Sequence, residues 1–234
     1  MSSWLRRIAE AASEMFLLDV EAGLSPNTTQ IEFASKNLEA MHLARAATAV
    51  FGPLFAAHLE TATTNSRRAR LVSTDYEMVT LAIGFVDLSG FTSSAAEMPP
   101  SELLELVLAF EGAAYDLVGE CDGRVVKLIG DEVMFTAVTA PAACDIALGL
   151  LARTADGGTR AKGGIAFGPV VAHGGDVYGH TVNLAARIVD TSVPGEVLVE
   201  QGVVANAPQQ QFLPAGRRML KGIADPVQLW SITS

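Results

Sequence analysis

The segment Val79–Leu88, VTLAIGFVDL, constrains this chain more than any other. Its apolar residues run almost without a break, too briefly for a membrane-spanning helix and without the alternation of a half-exposed strand. A strand buried on both faces satisfies the pattern, so other layers have to cover the sheet on both sides. Hydrophobic residues make up 50% of the 234 and charged residues 18%, which is enough apolar material for such a core and speaks against bulk disorder.

The elements that follow fall into an order. Pro99 and Pro100 precede Ser101, an expected N-cap, and Leu103, Leu104, Leu106, Val107, Phe110 and Leu117 recur at helical spacing until Asp122-Gly123. RVVKLIGDEVMFTAV reads as two short strands joined at Gly130-Asp131, a hairpin signal of the Gly-X type. Thr139 and Pro141 open a second helix through Leu151, and AKGGIAFGPVVA reads as a glycine-punctuated strand pair. Strand, helix, strand, strand, helix, strand is the ferredoxin-like βαββαβ order, so an α+β fold is expected. GGDVYGHTVNLAARIVD then reads as a loop into a helix starting near Thr181, and GEVLVEQGVV and VQLWSI as extra C-terminal strands.

Ahead of this core, Trp4, Leu5, Ile8, Met15 and Phe16 form one helical set, and Leu38, Met41, Val50, Phe51, Leu54 and Phe55 another, separated by the Pro26-containing stretch 23–29. The charge changes at the same boundary. Residues 1–75 carry seven basic and eight acidic side chains, whereas the remainder carries nine and 18. The expected division is therefore a helical dimerisation or regulatory segment over 1–75, with His42 and His58 as candidate pH-responsive groups, and a catalytic domain over 76–234.

A net charge of -10 disfavours partners recognised by their negative charge, nucleic acid and anionic membrane among them. No apolar stretch approaches the roughly 18 residues of a membrane span, and Glu10 and Glu14 interrupt the place where the apolar part of a signal peptide would lie. Cys121 and Cys144 are too few for a disulfide framework and lack a zinc-binding spacing. A cytoplasmic protein is expected.

Several polar residues stand out against this background. Asp87 closes the first apolar strand, and Leu88-Ser89-Gly90-Phe91-Thr92 after it is a small-residue turn whose amides suit phosphate oxygens, next to a carboxylate suited to Mg²⁺. Taken alone, an Asp in either this position or that of Asp131 at the hairpin tip is more often a turn former. In a ferredoxin-like fold, however, the two positions are neighbours, so both carboxylates can hold metal together. Glu132 should point to the opposite face of its strand from Asp131, and it is left out of the set. Lys127 interrupts an apolar strand and needs a partner, a ligand or an edge from which to snorkel. Asn183 and Arg187 share a helix face in VNLAAR, where an arginine among alanines suits a phosphate. Asp176, in the glycine-rich entry loop, is an ordinary turn residue when read alone.

Together, FVDLSGFT, VVKLIGDEVMF, DVYGHTVNLAAR and RRMLKGIADPVQLW, in this order between Val79 and Ile232, resemble the class III nucleotidyl cyclase catalytic domain, shared by adenylate and guanylate cyclases. Only His173, Gly174 and Gly175 separate the preceding strand from Asp176, which resembles the short-arm bacterial subtype.

The resemblance implies that Asp87 and Asp131, with Leu88 beside them, form a site for two Mg²⁺ or Mn²⁺ ions. It implies that Lys127 and Asp176 read adenine, Asn183 orients the ribose and Arg187 stabilises charge at the α-phosphate. Lys221 in LKG would contact the terminal phosphates, with Phe91 and Thr92 lining the nucleotide site. The implied activity is conversion of ATP to 3′,5′-cyclic AMP and pyrophosphate, at sites shared between the two subunits of a homodimer. A guanylate cyclase and a nucleotide-binding regulatory module with little turnover are the rival readings.

Overall fold

In the computed structural model of the chain, residues 78–90, 98–154 and 160–233 are described continuously, together with 29–32, 34–36, 38, 42, 52–53, 55–57, 59–60 and 63–64. The chain divides into two compact units, Met1–Thr63 and Thr64–Ser234. The division expected between 75 and 76 lies outside the described residues.

In the first unit the described positions from Gln30 onward are helical. Thr29 and Glu32 form a capping box. The Thr29 amide and hydroxyl donate to Glu32 Oε2, each at 2.9 Å, and the Glu32 amide donates back to the Thr29 hydroxyl at 3.3 Å. Leu38 and Phe55 are exposed. The other apolar positions expected here, Trp4, Leu5, Ile8, Met15, Phe16, Met41, Val50, Phe51 and Leu54, fall outside the described residues, as does His58.

The second unit is an eight-stranded mixed sheet. Its elements are β1 (Met78–Leu88), α1 (Pro100–Glu120), β2 (Arg124–Ile129), β3 (Glu132–Ala137), α2 (Ala140–Thr154), β4 (Ala161–His173), β5 (Asp176–Tyr178), α3 (His180–Thr191), β6 (Val197–Glu200), α4 (Gln201–Asn206), β7 (Gln211–Arg218) and β8 (Val227–Thr233). The strands lie in the order β2-β3-β1-β4-β6-β8-β7, with β5 paired to β4. β1 is antiparallel to both β3 and β4, and among the described residues only β4 and β6 pair in parallel. The first six elements thus form the expected ferredoxin-like core, and β5 to β8 extend it.

Burial explains the apolar run. Ala82, Val86 and Leu88 of β1 pack with α1 and α2 on one face, through Phe110, Ala114, Val118, Ile146 and Leu150. Leu81, Ile83 and Phe85 pack on the other face with Ala185, Ile188 and Val189 of α3. Both faces of one strand are therefore core, which removes the alternation that a half-exposed strand would display.

Local details depart from expectation at three places. α1 starts at Pro100 with Pro99 as N-cap and no side-chain cap, so Ser101 is already inside the helix. Proline suits that first position because its missing N–H has no helical partner to lose. AKGGIAFGPVVAH is one 13-residue strand, β4, and its glycines mark close packing. QGVV is helical, as α4, because Glu200 caps it: Oε1 accepts from Val203 N and Oε2 from Gly202 N. The same Oε1 accepts from Phe167 N at 3.0 Å, tying α4 to β4. As expected, α3 begins next to Thr181, at His180.

Candidate active site

Two polar centres lie at the sheet, and each follows from the register of its strands. The first is at the end of β1. Ile129 and Glu132 face each other across the β2–β3 hairpin, leaving Gly130 and Asp131 as its two-residue turn, with Gly130 at φ 65°. The Leu88 amide donates to the Asp131 carbonyl at 3.2 Å, which fastens the turn beside Asp87.

Ladder pairing adds two residues that a reading along the chain misses. Asp87 stands opposite Glu132 in β3 and opposite Lys162 in β4. Cross-strand partners project to the same face, so Glu132 joins the cluster, contrary to expectation. The alternation rule fails here because Asp131 belongs to the turn and not to the strand. Lys162 Nζ lies 3.4 Å from Asp87 Oδ2.

The electrostatics of this centre are those of too many carboxylates for one cation. Burial raises the Asp87 pKa, Asp131 and Asp190 raise it further, and Lys162 opposes them. Glu132 is pushed up to about 7, first by burial, then by Asp87, Asp190 and Asp131. Among the described residues no group of three or more His, Cys, Asp or Glu side chains is arranged to hold a metal ion by itself. The donor set still fits Mg²⁺ or Mn²⁺, which take few protein carboxylates and complete their shell with phosphate oxygens and water. Ser89 Oγ is buried here without a hydrogen-bond partner among the described residues. The Leu88 side chain is in the core, so only its backbone carbonyl is a possible ligand. Phe91 and Thr92 lie outside the described residues.

The second centre joins the sheet edge to the β4–β5 turn. Lys127 Nζ donates to Asp176 Oδ2 at 2.6 Å, and Val177 N donates to Asp176 Oδ1 at 2.8 Å. The Lys127 hydrogen bond is the main cause of a lowered Asp176 pKa. Lys127 is not buried. It stands on the edge strand β2 with 42% of its side chain exposed, which answers the question its sequence context raises: it has both an edge and a partner.

Asn183 and Arg187 sit on α3, four residues apart and thus on one face. Asn183 is exposed and makes no side-chain hydrogen bond among the described residues. Arg187 Nη1 donates to Asp190 Oδ2 at 2.9 Å. The α3 backbone lies directly on β4 at Gly164, where an added Cβ would come within 2.3 Å of Val189 N. Lys221 is exposed in the turn between β7 and β8, just after the buried Leu220. The structure thus sets Asp87 beside Asp131, joins Lys127 to Asp176, and places Asn183 and Arg187 on one face of α3. It brings Lys221 into contact with none of them.

Residues 71–233 match the family described as "Adenylate and Guanylate cyclase catalytic domain", and the chain belongs to that family.

An uncharacterized protein of Mycobacterium tuberculosis is 34% identical over 238 residues, covering 97% of this chain and 61% of its own length. This chain therefore spans about three fifths of such relatives. An adenylate cyclase of Streptomyces coelicolor is 43% identical over 145 residues, 60% of this chain and 38% of that protein. The adenylyl cyclase CyaB of P. aeruginosa superimposes with a TM-score of 0.63 at 22% identity, over 67% of this chain and 95% of that one, a likeness of fold. Among the described residues no helix is long and apolar enough to cross a membrane.

Proposed function

We propose that the chain is an adenylate cyclase, converting ATP to 3′,5′-cyclic AMP and pyrophosphate at sites shared between two copies of itself. The observation that carries this reading is the Lys127–Asp176 pair at 2.6 Å, which sets an amine donor and a carboxylate acceptor side by side. Adenine offers a complementary pair of groups, an amino donor at N6 and an acceptor at N1. Guanine would set its O6 acceptor against the Asp176 carboxylate.

In this reading Asn183 orients the ribose and Arg187 stabilises charge on the α-phosphate. The 3′-oxygen gains a bond to the α-phosphorus, the bond from that phosphorus to the bridging oxygen breaks, and the hydroxyl proton leaves. Asp87 and Asp131, with the Leu88 carbonyl, would hold two Mg²⁺ or Mn²⁺ ions, whose charge makes the 3′-hydroxyl more acidic and offsets that of the phosphates. Lys162 and Lys221 provide cations for the triphosphate, and Phe91 and Thr92 line it.

The shared site rests on the cyclase family to which the chain belongs. The charges acting on Asp87 are those of Asp131, Lys162 and Asp190, while Arg187 is engaged with Asp190 of its own α3. In the shared arrangement a second copy presents its own Asn183 and Arg187 to the first copy's carboxylates. Residues 1–75 are proposed as the segment that sets the geometry of that dimer, and the two free cysteines suit a reducing cytoplasm.

Purified protein incubated with ATP or GTP, with Mg²⁺ or Mn²⁺, and the cyclic products resolved by chromatography, tests the reading directly. ATP is expected to be cyclised far faster. Equal use of the two nucleotides would refute the base assignment, and no cyclic product from dimeric protein would leave a nucleotide-binding regulatory module.

A further inference from the structure

The Gly174-Gly175-Asp176 turn is gripped twice from the edge strand. Arg124 Nη1 donates to the Gly175 carbonyl, and Lys127 Nζ donates to Asp176 one residue on. In a regular strand residues three apart face opposite sides, so these two cations would not reach one turn.

The β2–β3 ladder resolves this with a bulge. Arg124 faces Thr136, Val125 faces Phe135 and Lys127 faces Met134, which leaves Val126 as the extra residue. Arg124 and Lys127 become two ladder positions apart, one full pleat, and share a face. Packing agrees. Val125 and Leu128, also three apart, both lie against the α1/α2 core, whereas Val126 lies against the α3 side.

The turn itself has little else to place it. Gly174 and Gly175 adopt φ 60° and 85°, and a Cβ on either would meet nothing within 4 Å. Its position depends on the short β4–β5 ladder, on the buried Val177 that follows Asp176, and on these two side chains. Arg124 is half-buried; burial is the larger effect and lowers its pKa, while Asp176 favours its charge.

We infer that Arg124, brought onto the Lys127 face by the Val126 bulge, is a positioning residue for base selection: it fixes the Gly175 peptide and so keeps the Asp176 carboxylate aligned with Lys127. The inference rests on the adenylate cyclase reading for its consequence, and on geometry alone for the hold on the turn. Without Arg124 the glycine turn gains freedom, the carboxylate is less well placed against guanine O6, and discrimination weakens.

The test uses the full chain as wild type, Arg124→Met and Arg124→Lys. Rates with ATP and GTP are measured, together with amide exchange across residues 174–178 in nucleotide-free protein. Arg124→Met should cut the ATP-to-GTP ratio of kcat/KM by roughly tenfold, acting mainly on the KM for ATP. It should also speed exchange at Val177 N, and Arg124→Lys should recover most of both effects. An unchanged ratio, or an equal fall in kcat for both nucleotides, would overturn the inference. So would unchanged exchange. If the wild type shows no preference for ATP, the adenylate reading fails, and the exchange result still decides whether Arg124 holds the turn.

Discussion

Glu132 stands directly across the β1/β3 ladder from Asp87, so both carboxylates project to the same face beside the Asp131 turn. With Asp190 acting on both, this end of the sheet gathers four acidic groups around Lys162. The folded domain therefore carries unfavourable charge here that a divalent cation would relieve, even though Glu132 belongs to no complete ligand set.

Removing one of those charges should stabilise the metal-free protein. In chelator and above pH 7, where Glu132 carries its charge, Glu132→Gln is expected to melt a few degrees higher than wild type, the order expected for about 1 kcal/mol in a domain of this size. It should also gain less on addition of Mg²⁺. Thermal melts with and without the cation test both halves, and a lower melting temperature in chelator would show that Glu132 is not repelled by its neighbours.

The Asp176 carboxyl should titrate below the ordinary aspartate range, because Lys127 hydrogen-bonds its charged form. A depressed folded pKa means that the pair contributes stability above the unfolded value, and that this is lost as pH falls through the folded one. Lys127→Met should move the titration back up. Carbon-detected NMR of the labelled carboxyl reads it, and titration at the ordinary value in the wild type would count against the pairing on which base choice depends.

The readings that succeeded on sequence rest on local signals. The apolar run of β1, the Gly130-Asp131 turn and the helical spacing of α1 each carry their cause within a few neighbouring residues, and the ferredoxin-like order follows from them. What escaped is decided across strands. Lys162 has nothing local to mark it, and it matters because β4 pairs it with Asp87. Glu132 was assigned to the wrong face because alternation was counted from a turn residue. Gly163, Gly164 and Gly168 read as a break in β4, whereas Gly164 lies under the α3 backbone and Gly168 under Thr181. α4 owes its helix to Glu200, whose carboxylate also binds β4.

If sites are shared, two inactive variants should complement each other. Asp87→Ala removes a metal ligand and Arg187→Ala removes the α-phosphate contact, so each homodimer should be silent. A mixed dimer has one site carrying both lesions and one carrying neither. With random equal mixing, half of the dimers are mixed and half of their sites intact, so roughly a quarter of wild-type activity should return. Failure to recover activity after subunit exchange has been verified would mean that each chain holds a complete site.

Gly164 is the position where fold and site are joined most tightly. A Cβ there would lie 2.3 Å from Val189 N, 2.8 Å from Val189 Cα and 2.9 Å from Ala185 O, all of them backbone atoms of α3 that cannot rotate aside. Gly164→Ala must therefore lift α3 from β4, at a cost of about 1 to 3 kcal/mol. The same displacement moves Asn183 and Arg187, which α3 carries, so activity should fall by more than tenfold even at temperatures where the variant is fully folded. Gly112→Ala supplies the control. That glycine is inside α1, a Cβ on it meets nothing within 4 Å, and alanine favours a helix over glycine by up to about 1 kcal/mol. The control should melt slightly higher than wild type with unchanged turnover. Folded Gly164→Ala protein with wild-type kcat would mean that the seating of α3 on β4 does not position the Asn183 and Arg187 face.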